Sequence, residues 1–332
     1  MTDQIDIVYT WCSSSDSVWN AKRRAAAEKC SSAGLGNAEC RFADNDELRF
    51  SLRSVEKFAP WFRRVFLVVD DDISLPGWLN DRADGLTVVR LSEIMEPWML
   101  PCFSSDSIEH RLARIRGLSE KFVYSNDDCF FNRATSPDFF FASDGYPYFR
   151  FGAKRRRSWY DANNAEYVSM LGNADELLMR RYGGSSAATK VIGRLPHHNM
   201  DAYRRSDLLA AYDEFAKEIE KGFATPFRDD TKVQRVVYAG YSLAVGHGHF
   251  RRATFNTSSR RTLLRRLLPS RADTLQIKSG EWKRGPELLA IFNPNLFCFN
   301  DAVGVDGSDH EFLRRYLGER FPGKSRYEKE TD

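Results

Sequence analysis

The sequence has no long apolar segment. No run of 18 or so uncharged apolar residues occurs in the chain, whereas a membrane-spanning helix needs roughly 20. The first residues carry Asp3 and Asp6 where a secretory leader would carry positive charge. These two absences predict a cytoplasmic protein with neither a transmembrane helix nor a signal peptide.

The sequence also lacks the cysteine patterns of a disulfide framework or a zinc finger. Its six cysteines are scattered, no two of them form a C-x-x-C pair, and no histidine stands near them at zinc-site spacing. We therefore interpret all six as reduced thiols.

Acidic residues are missing from one long segment. Residues 231–272 contain no Asp or Glu although the whole chain has a net charge of only +3, and eight arginines fall there: Arg235, Arg251, Arg252, Arg260, Arg261, Arg265, Arg266 and Arg271. Two interpretations stay open, a solvated basic face or a surface that binds an anionic polymer or an acidic membrane at the inner face of the cell. We expect no nucleic-acid partner.

What is present fits a folded α/β protein. Apolar residues make up 42% of the chain, enough for a full core. Short apolar runs indicative of strands alternate with helical spacing in the first 150 residues, in the order β-α-β-β-α-β. The predicted strands are 5–11, 65–69, 86–89 and 121–125, and the predicted helices are 44–58 and 107–116. This order predicts a mostly parallel sheet flanked by helices, of the GT-A-like or Rossmann-like kind that binds nucleotides.

The remainder of the chain divides by composition. Residues 151–225 predict a mainly helical insertion or cap, with helices at 173–182 and 201–221, and residues 226–323 are expected to complete the catalytic domain. The polar residues 324–332 predict a disordered tail.

The strongest local signal is Asn126-Asp127-Asp128 at the end of an apolar strand. Adjacent carboxylates at a strand end can hold a divalent cation against a diphosphate. The alternative is an Asn/Asp turn without a metal, which is the commoner meaning of such a tripeptide.

A second signal is the charged segment 41–56, which predicts a helix preceded by a polar loop. Asp44 or Asn45 is expected to cap this helix. Arg49 and Arg53 are four residues apart and share a face, where they can form a fork for phosphate oxygens. The alternative is an ordinary salt-bridged surface helix.

Histidine is the usual proton carrier near neutral pH, so His197 and His198 after Pro196 are candidates for a catalytic base. Arg228 with its two following acids, and Asn300-Asp301, are ordinary turn or cap sequences when each is taken alone.

Taken together, these segments resemble the four conserved regions of the Stealth family of capsule hexose-1-phosphate transferases and GlcNAc-1-phosphotransferase. The stretch from Ile5 to Trp11 resembles the first region, and Arg41 to Trp61 with 117–122 and 126–128 resembles the second. Pro196 to Arg204 with Phe227-Arg228 is similar to the third region, and 297–301 to the fourth.

The chain departs from the family pattern at two places. Ser13 and Ser14 stand where the family has an acid and a glycine, and Ala113 stands where it commonly has a histidine, with His110 one turn earlier. These departures are compatible with an altered substrate, a different metal set or a weakened enzyme.

The resemblance implies transfer of a hexose 1-phosphate from a UDP-sugar to a hydroxyl of a polysaccharide or oligosaccharide acceptor, with Mg²⁺ or Mn²⁺. It implies metal binding by Asp127, Asp128 and Asp301, catalytic roles for His197, Asp128 and Arg228, and substrate contacts by Thr10, Trp11, Asp44, Asn45, Arg49, Arg53, His110, Asn126 and Asn300. A metal-dependent glycosyltransferase and a non-catalytic relative that binds anionic polymer, lipid or the capsule machinery are the alternatives.

Overall fold

The computed structural model describes residues 4–30, 34–155, 165–253, 272–301 and 304–330. Residues 254–271, which hold most of the predicted basic stretch, lie outside these ranges. Within the described part, Arg251 and Arg252 are exposed. The strands are β1 (Ile5–Thr10), β2 (Val65–Val69), β3 (Leu86–Arg90), β4 (Lys121–Asn126), β5 (Cys129–Phe131), β6 (Tyr148–Lys154), β7 (Arg194–Pro196), β8 (Asp201–Arg204), β9 (His249–Arg252), β10 (Thr274–Lys278) and β11 (Leu296–Asn300).

Helices flank the strands on both sides. In chain order they are α1 (Ser17–Glu28), α2 (Glu47–Phe58), α3 (Leu91–Ile94), α4 (Ser105–Glu109), α5 (Ala165–Tyr182), α6 (Arg205–Glu214), α7 (Ala216–Lys221), α8 (Val236–Ala244), α9 (Gly285–Phe292) and α10 (Gly307–Arg320). None of the helices in the described ranges is long and apolar enough to cross a bilayer.

The central sheet has the strand order β3-β2-β1-β4-β8. The first four strands are parallel to their neighbours, and β8 pairs antiparallel with β4. The prediction of a mixed α/β fold with a mostly parallel sheet is therefore confirmed. β1 and β2 are apolar along almost their whole length because helices and loops cover both faces of the sheet.

Two hydrophobic cores lie on opposite faces of this sheet, because successive side chains of a strand point to opposite faces. Val8, Phe66 and Phe122 face the core that includes α5, α6 and α8. Ile7 and Leu67 face the other core, which includes α2. A second sheet of order β10-β11-β5 packs with α9 and α10 around a third core.

The segment 151–225 differs from the predicted helical cap. Its residues 201–204, predicted as the start of a helix, form β8 and extend the central sheet. Ala202 and Tyr203 are adjacent and both buried, one in each of the two cores, because pairing with β4 places β8 in a sheet that is covered on both faces. The chain thus returns to the main sheet before α6 begins at Arg205.

The predicted disordered tail is wrong for its described part, residues 324–330. Ser325, Tyr327 and Glu328 are buried, and Glu328 forms an isolated bridge with Leu79. Composition alone indicated disorder, but Glu328 is stabilised by Arg49 and Arg53, whose positions in the sequence are remote from it.

Candidate active site

The strand ends of the central sheet carry the first group of polar side chains. Thr10 and Asn126 are opposite each other in the register of β1 and β4. The Tyr124 hydroxyl joins them, at 3.0 Å from Thr10 Oγ1 and 2.7 Å from Asn126 Oδ1. The two predicted substrate-binding residues therefore meet at the edge where the carboxyl ends of parallel strands collect ligands.

Four carboxyl groups converge beside this edge. Burial, followed by the charges of Asp128, Glu47 and Asp44, raises the pKa of Asp127 well above its ordinary value. Burial also raises the pKa of Glu47 to about 8 and that of Asp44 to about 6. Carboxylates whose charges act on one another repel unless a proton or a cation neutralises them. The cluster therefore suits a bound cation.

Two further predicted residues lie on the flank of the acidic cluster. Trp11 is buried. Its side chain and that of Ser13 lower the pKa of Asp44 and so offset part of the increase that burial causes. Asn45 is buried as well, donates from Nδ2 to Glu47 Oε1 at 2.8 Å and accepts from Arg314. Asn45 thus positions Glu47 and contributes no side chain to the helix cap, which falls at Asp46.

His197 and His198 lie next to the same edge because they precede β8, the partner of β4. His197 Nε2 is 2.7 Å from Asp201 Oδ1. Burial opposes the ionisation of Asp201, but His197 and Arg235 outweigh it and lower the pKa of Asp201 to about 2. An ionised Asp201 accepts from a protonated Nε2, so His197 Nδ1 carries the lone pair of the neutral ring.

That Nδ1 atom is buried and has no hydrogen-bond partner in the part of the chain that the structure describes. A carboxylate on one ring nitrogen and an available lone pair on the other is the arrangement of a general base. The structure thus brings His197 into a geometry that the sequence position alone did not specify.

Arginine side chains form the cationic half of the site. Arg228 Nε lies 2.5 Å from Asp106 Oδ2, and its Nη2 lies 3.1 Å from Ser105 Oγ. Burial, and then the neighbouring charge of Arg228, lowers the pKa of Arg41. Because these two guanidinium groups repel each other, an anion with several oxygens, such as a phosphate, would stabilise both.

A third arginine, Arg235, connects the surrounding carboxylates by ion pairs. Arg235 bonds Glu109 at 3.0 Å and Asp201 at 2.8 Å. Glu109 also accepts from the Tyr124 hydroxyl at 3.1 Å. A continuous polar network therefore runs from the strand ends to the histidine.

One group of three potential metal ligands occurs in the described ranges. Side-chain atoms of Asp128, His198 and Cys298 all lie within 4.8 Å of one another. Asp127 and Asp301, which were predicted as ligands with Asp128, are not members of this group. Asp301 Oδ2 lies 3.6 Å from His310 Nε2, and Asn300 accepts from Gln276 at the end of β11.

The remaining predicted residues serve the fold. Arg49 and Arg53 share a face of α2 as expected, but that face binds Glu328, at 2.6 Å from Arg49 Nε and 2.7 Å from Arg53 Nε. The predicted phosphate fork is thus already filled by a carboxylate of the same chain. His110 is buried between Tyr238 and the Val233 carbonyl, and burial lowers its pKa to about 4. It is a core histidine rather than a substrate ligand.

Several site residues were not predicted from the sequence. They are Arg41, Asp106, Glu109, Asp201, Arg235 and Cys298, and they come from separate parts of the chain. Arg41, Asp201 and Cys298 fall inside the segments that carry the family resemblance, so that resemblance contained a signal for them. The other three have no local spacing that marks them, because only the fold brings Glu109 to Arg235 and Asp106 to Arg228.

The fold and site define an α/β protein with an acidic and an arginine-rich group at one sheet edge. Residues 41–149 match the family model of Stealth protein conserved region 2. An exopolysaccharide phosphotransferase of Streptomyces coelicolor is 33% identical over 99% of this chain and 33% of its own length. A second from Nocardia farcinica is 32% identical over 98% of this chain and 61% of its own length.

CpsY of Mycobacterium tuberculosis, another exopolysaccharide phosphotransferase, is 35% identical over 73% of this chain and 44% of its own length. The chain belongs to the Stealth family. It spans about one third to three fifths of the length of these relatives.

Solved structures also resemble the fold. The galactosyltransferase LgtC, in complex with donor and acceptor sugar analogues, has a TM-score of 0.42 and 10% identity, covering 96% of each chain. The glycosyltransferase GlyE of Streptococcus pneumoniae has a TM-score of 0.40 and 10% identity, covering 98% of this chain and 61% of its own. Family membership rests on the sequence comparisons.

Proposed function

We propose that this chain transfers a hexose 1-phosphate from a UDP-sugar to a hydroxyl of a saccharide acceptor in exopolysaccharide synthesis, forming a phosphodiester. The observation that carries the proposal is the buried His197–Asp201 pair, in which His197 Nδ1 has no hydrogen-bond partner among the described residues and Asp201 is also bonded to Arg235. The exopolysaccharide phosphotransferases related to this chain support the same reaction class.

In this reaction an acceptor hydroxyl attacks the phosphorus bonded to the sugar, and UMP leaves. His197 Nδ1 takes the hydroxyl proton while Asp201 stabilises the imidazolium that forms. Arg228 and Arg41 bind the phosphoryl oxygens, whose negative charge is redistributed in the transition state. Thr10 and Asn126 lie at the strand ends, where they orient the donor.

A divalent cation such as Mg²⁺ or Mn²⁺ would supply neutralisation of the donor diphosphate. Asp127 and Asp128 would hold it. The fit is supported by the convergence of Asp44, Glu47, Asp127 and Asp128, where proximity and burial disfavour four free carboxylates. Asp301 stays a proposed ligand that lies outside the compact group at Asp128.

The released nucleotide tests the proposal. Purified protein, a panel of UDP-sugars, Mg²⁺ or Mn²⁺ and saccharide acceptors are incubated, and the products are identified by mass spectrometry. We expect UMP and an acceptor heavier by one hexose phosphate. Release of UDP with an acceptor heavier by one hexose would instead establish a glycosyltransferase.

A matched variant identifies the site. Asp128→Asn keeps the size of the side chain and removes its charge, so turnover should collapse while the melting temperature changes little. Near-normal turnover of this variant in Mg²⁺ would contradict the metal assignment. Absence of either nucleotide product with every donor and acceptor would favour the non-catalytic alternative.

A further inference from the structure

Three side chains of different chemistry meet at one point although they are remote in sequence. Asp128 follows β4, His198 precedes β8, and Cys298 lies in β11. Their carboxylate oxygen, ring nitrogen and sulfur all lie within 4.8 Å of one another. The Cys298 Sγ is already 3.1 Å from Asp128 Oδ2, where the thiol donates to the carboxylate.

These separations are close to those of a tetrahedral metal site. Bonds of about 2.0–2.3 Å from one cation to oxygen, nitrogen and sulfur place the ligand atoms about 3.5 Å apart. A small closing movement of the His198 and Asp128 side chains is enough, and both are half-buried rather than locked in a core. Cys298 is fully buried in β11 and provides the fixed ligand.

The donor types discriminate between cations. Mg²⁺ and Mn²⁺ prefer all-oxygen sites, whereas a thiolate and an imidazole favour Zn²⁺ and similar metals, which also stand higher in the divalent affinity series. The surrounding carboxyl groups of Asp127, Glu47 and Asp44 favour a positive ion at this place.

We propose that Asp128, His198 and Cys298 form a binding site for a thiophilic divalent cation of the Zn²⁺ class, with Cys298 bound as its thiolate. On binding, the cation replaces the thiol proton of Cys298, which passes to solvent, and no oxidation occurs. Three protein ligands leave a fourth position open to water or a phosphate oxygen. Asp128 is also a ligand of the proposed Mg²⁺ or Mn²⁺ site, so the two kinds of cation share this carboxylate. Binding of the thiophilic cation is measured without donor or acceptor and therefore does not depend on the proposed reaction.

Cobalt provides the direct test, since Co²⁺ occupies zinc sites and a thiolate ligand gives it a charge-transfer absorption in the near ultraviolet. The full chain is stripped of metal with a chelator, kept reduced, and titrated with Co²⁺. We expect the thiolate band to grow to one equivalent, to disappear on addition of one equivalent of Zn²⁺, and to persist in excess Mg²⁺. A titration of the wild-type protein without this band overturns the proposal, whatever the activity of the enzyme.

Two variants assign the ligands. Cys298→Ser should abolish the band and weaken Zn²⁺ binding by about tenfold or more, since even residues that only support a ligand have effects of that size. Cys102→Ser removes another buried thiol, which donates to the Ser104 carbonyl, and should leave the band unchanged. A folded Cys298→Ser protein that keeps the band contradicts the assignment.

If Cys298→Ser fails to fold, as judged by circular dichroism, His198→Ala replaces it as the test variant. It should weaken Zn²⁺ binding by a similar factor and alter the visible cobalt spectrum, because an imidazole is lost from the coordination sphere. Unchanged affinity and spectrum in this variant would overturn the proposal.

Discussion

At the scale of single residues, His197 has two ring nitrogens with different surroundings. Nε2 faces ionised Asp201 at 2.7 Å, and Nδ1 is buried without a hydrogen-bond partner among the described residues. This asymmetry fixes which nitrogen accepts a proton. A histidine that served only the core would bind through both nitrogens, as His110 does.

His197→Ala should lower the rate of sugar-phosphate transfer by about 10² or more, because the proton acceptor is lost. The measurement is kcat with saturating donor and acceptor. His249→Ala removes an exposed histidine paired with Asp144 and serves as the matched control. Equal loss in both variants would contradict the base assignment.

The ionisation of Glu47, a member of the acidic cluster, makes the stability of the fold depend on pH. Burial raises its pKa from 4.5 to about 8. Between those two pH values the folded chain keeps a proton that the unfolded chain loses, so the free energy of unfolding decreases as pH rises through this window. We expect the melting temperature of the metal-free protein to fall from pH 5 to 8.

Glu47→Gln should flatten that dependence, since an amide does not titrate, and Mg²⁺ should raise the melting temperature of the parent more at pH 8 than at pH 5. Glu56→Gln, at an exposed ion pair with Arg326, is the control and should leave the slope as it is. A parent protein whose stability does not change with pH in this range would contradict the raised pKa.

At the scale of elements, the C-terminal segment 325–328 is bound to α2 by ion pairs. Glu328 is buried and bonds both Arg49 and Arg53. Burial opposes its ionisation, but these arginines together with the Ser325 amide outweigh it and lower the pKa of Glu328 to about 2. Arg53 also donates to the Phe321 carbonyl at 2.8 Å. The helix that carries Glu47 at its start is therefore braced at its middle by the end of the chain.

Glu328→Ala should lower the free energy of unfolding by about 2–3 kcal/mol, because two arginines lose their charged partner. Chemical denaturation measures it. Arg326→Ala removes an ion pair that is 54% exposed on the arginine side, and exposed pairs contribute about 0–1 kcal/mol. If the two variants lose equal stability, the segment does not brace the helix.

At the scale of the whole molecule, Arg235 connects parts that fold from distant sequence. It lies at the start of α8 and bonds Glu109 of α4 and Asp201 of β8. Its side chain is 12% exposed. Removing one partner of such a buried ion network leaves the other charges without compensation.

Arg235→Met should therefore lower the free energy of unfolding by about 3–5 kcal/mol. The double variant Arg235→Met/Glu109→Gln should recover part of that loss, since one of the uncompensated carboxylates is gone. Denaturant unfolding of the parent, both single variants and the double variant gives the coupling energy. Additive losses would show that Arg235 and Glu109 do not act together.

The sequence by itself determined the parallel strands, because a run such as Val65–Val69 has no polar residue to place at a surface. It also determined that Asn126, Asp127 and Asp128 follow a strand end, since β4 ends at Asn126. The family resemblance added Arg228 and selected His197 from the two histidines that follow Pro196. Each of these predictions depends on residues that are adjacent in the sequence, and a local sequence pattern contains that information.

Only the tertiary structure decided the partners of the charged side chains. Arg49 and Arg53 have the spacing of a phosphate fork, yet Glu328 reaches them from 275 or more residues away. Cys298 looked like an isolated thiol until β11 paired with β5 and placed it beside Asp128. A side chain pairs with whatever charge the fold brings within a few ångströms, and that distance is set by packing of remote segments rather than by spacing along the chain.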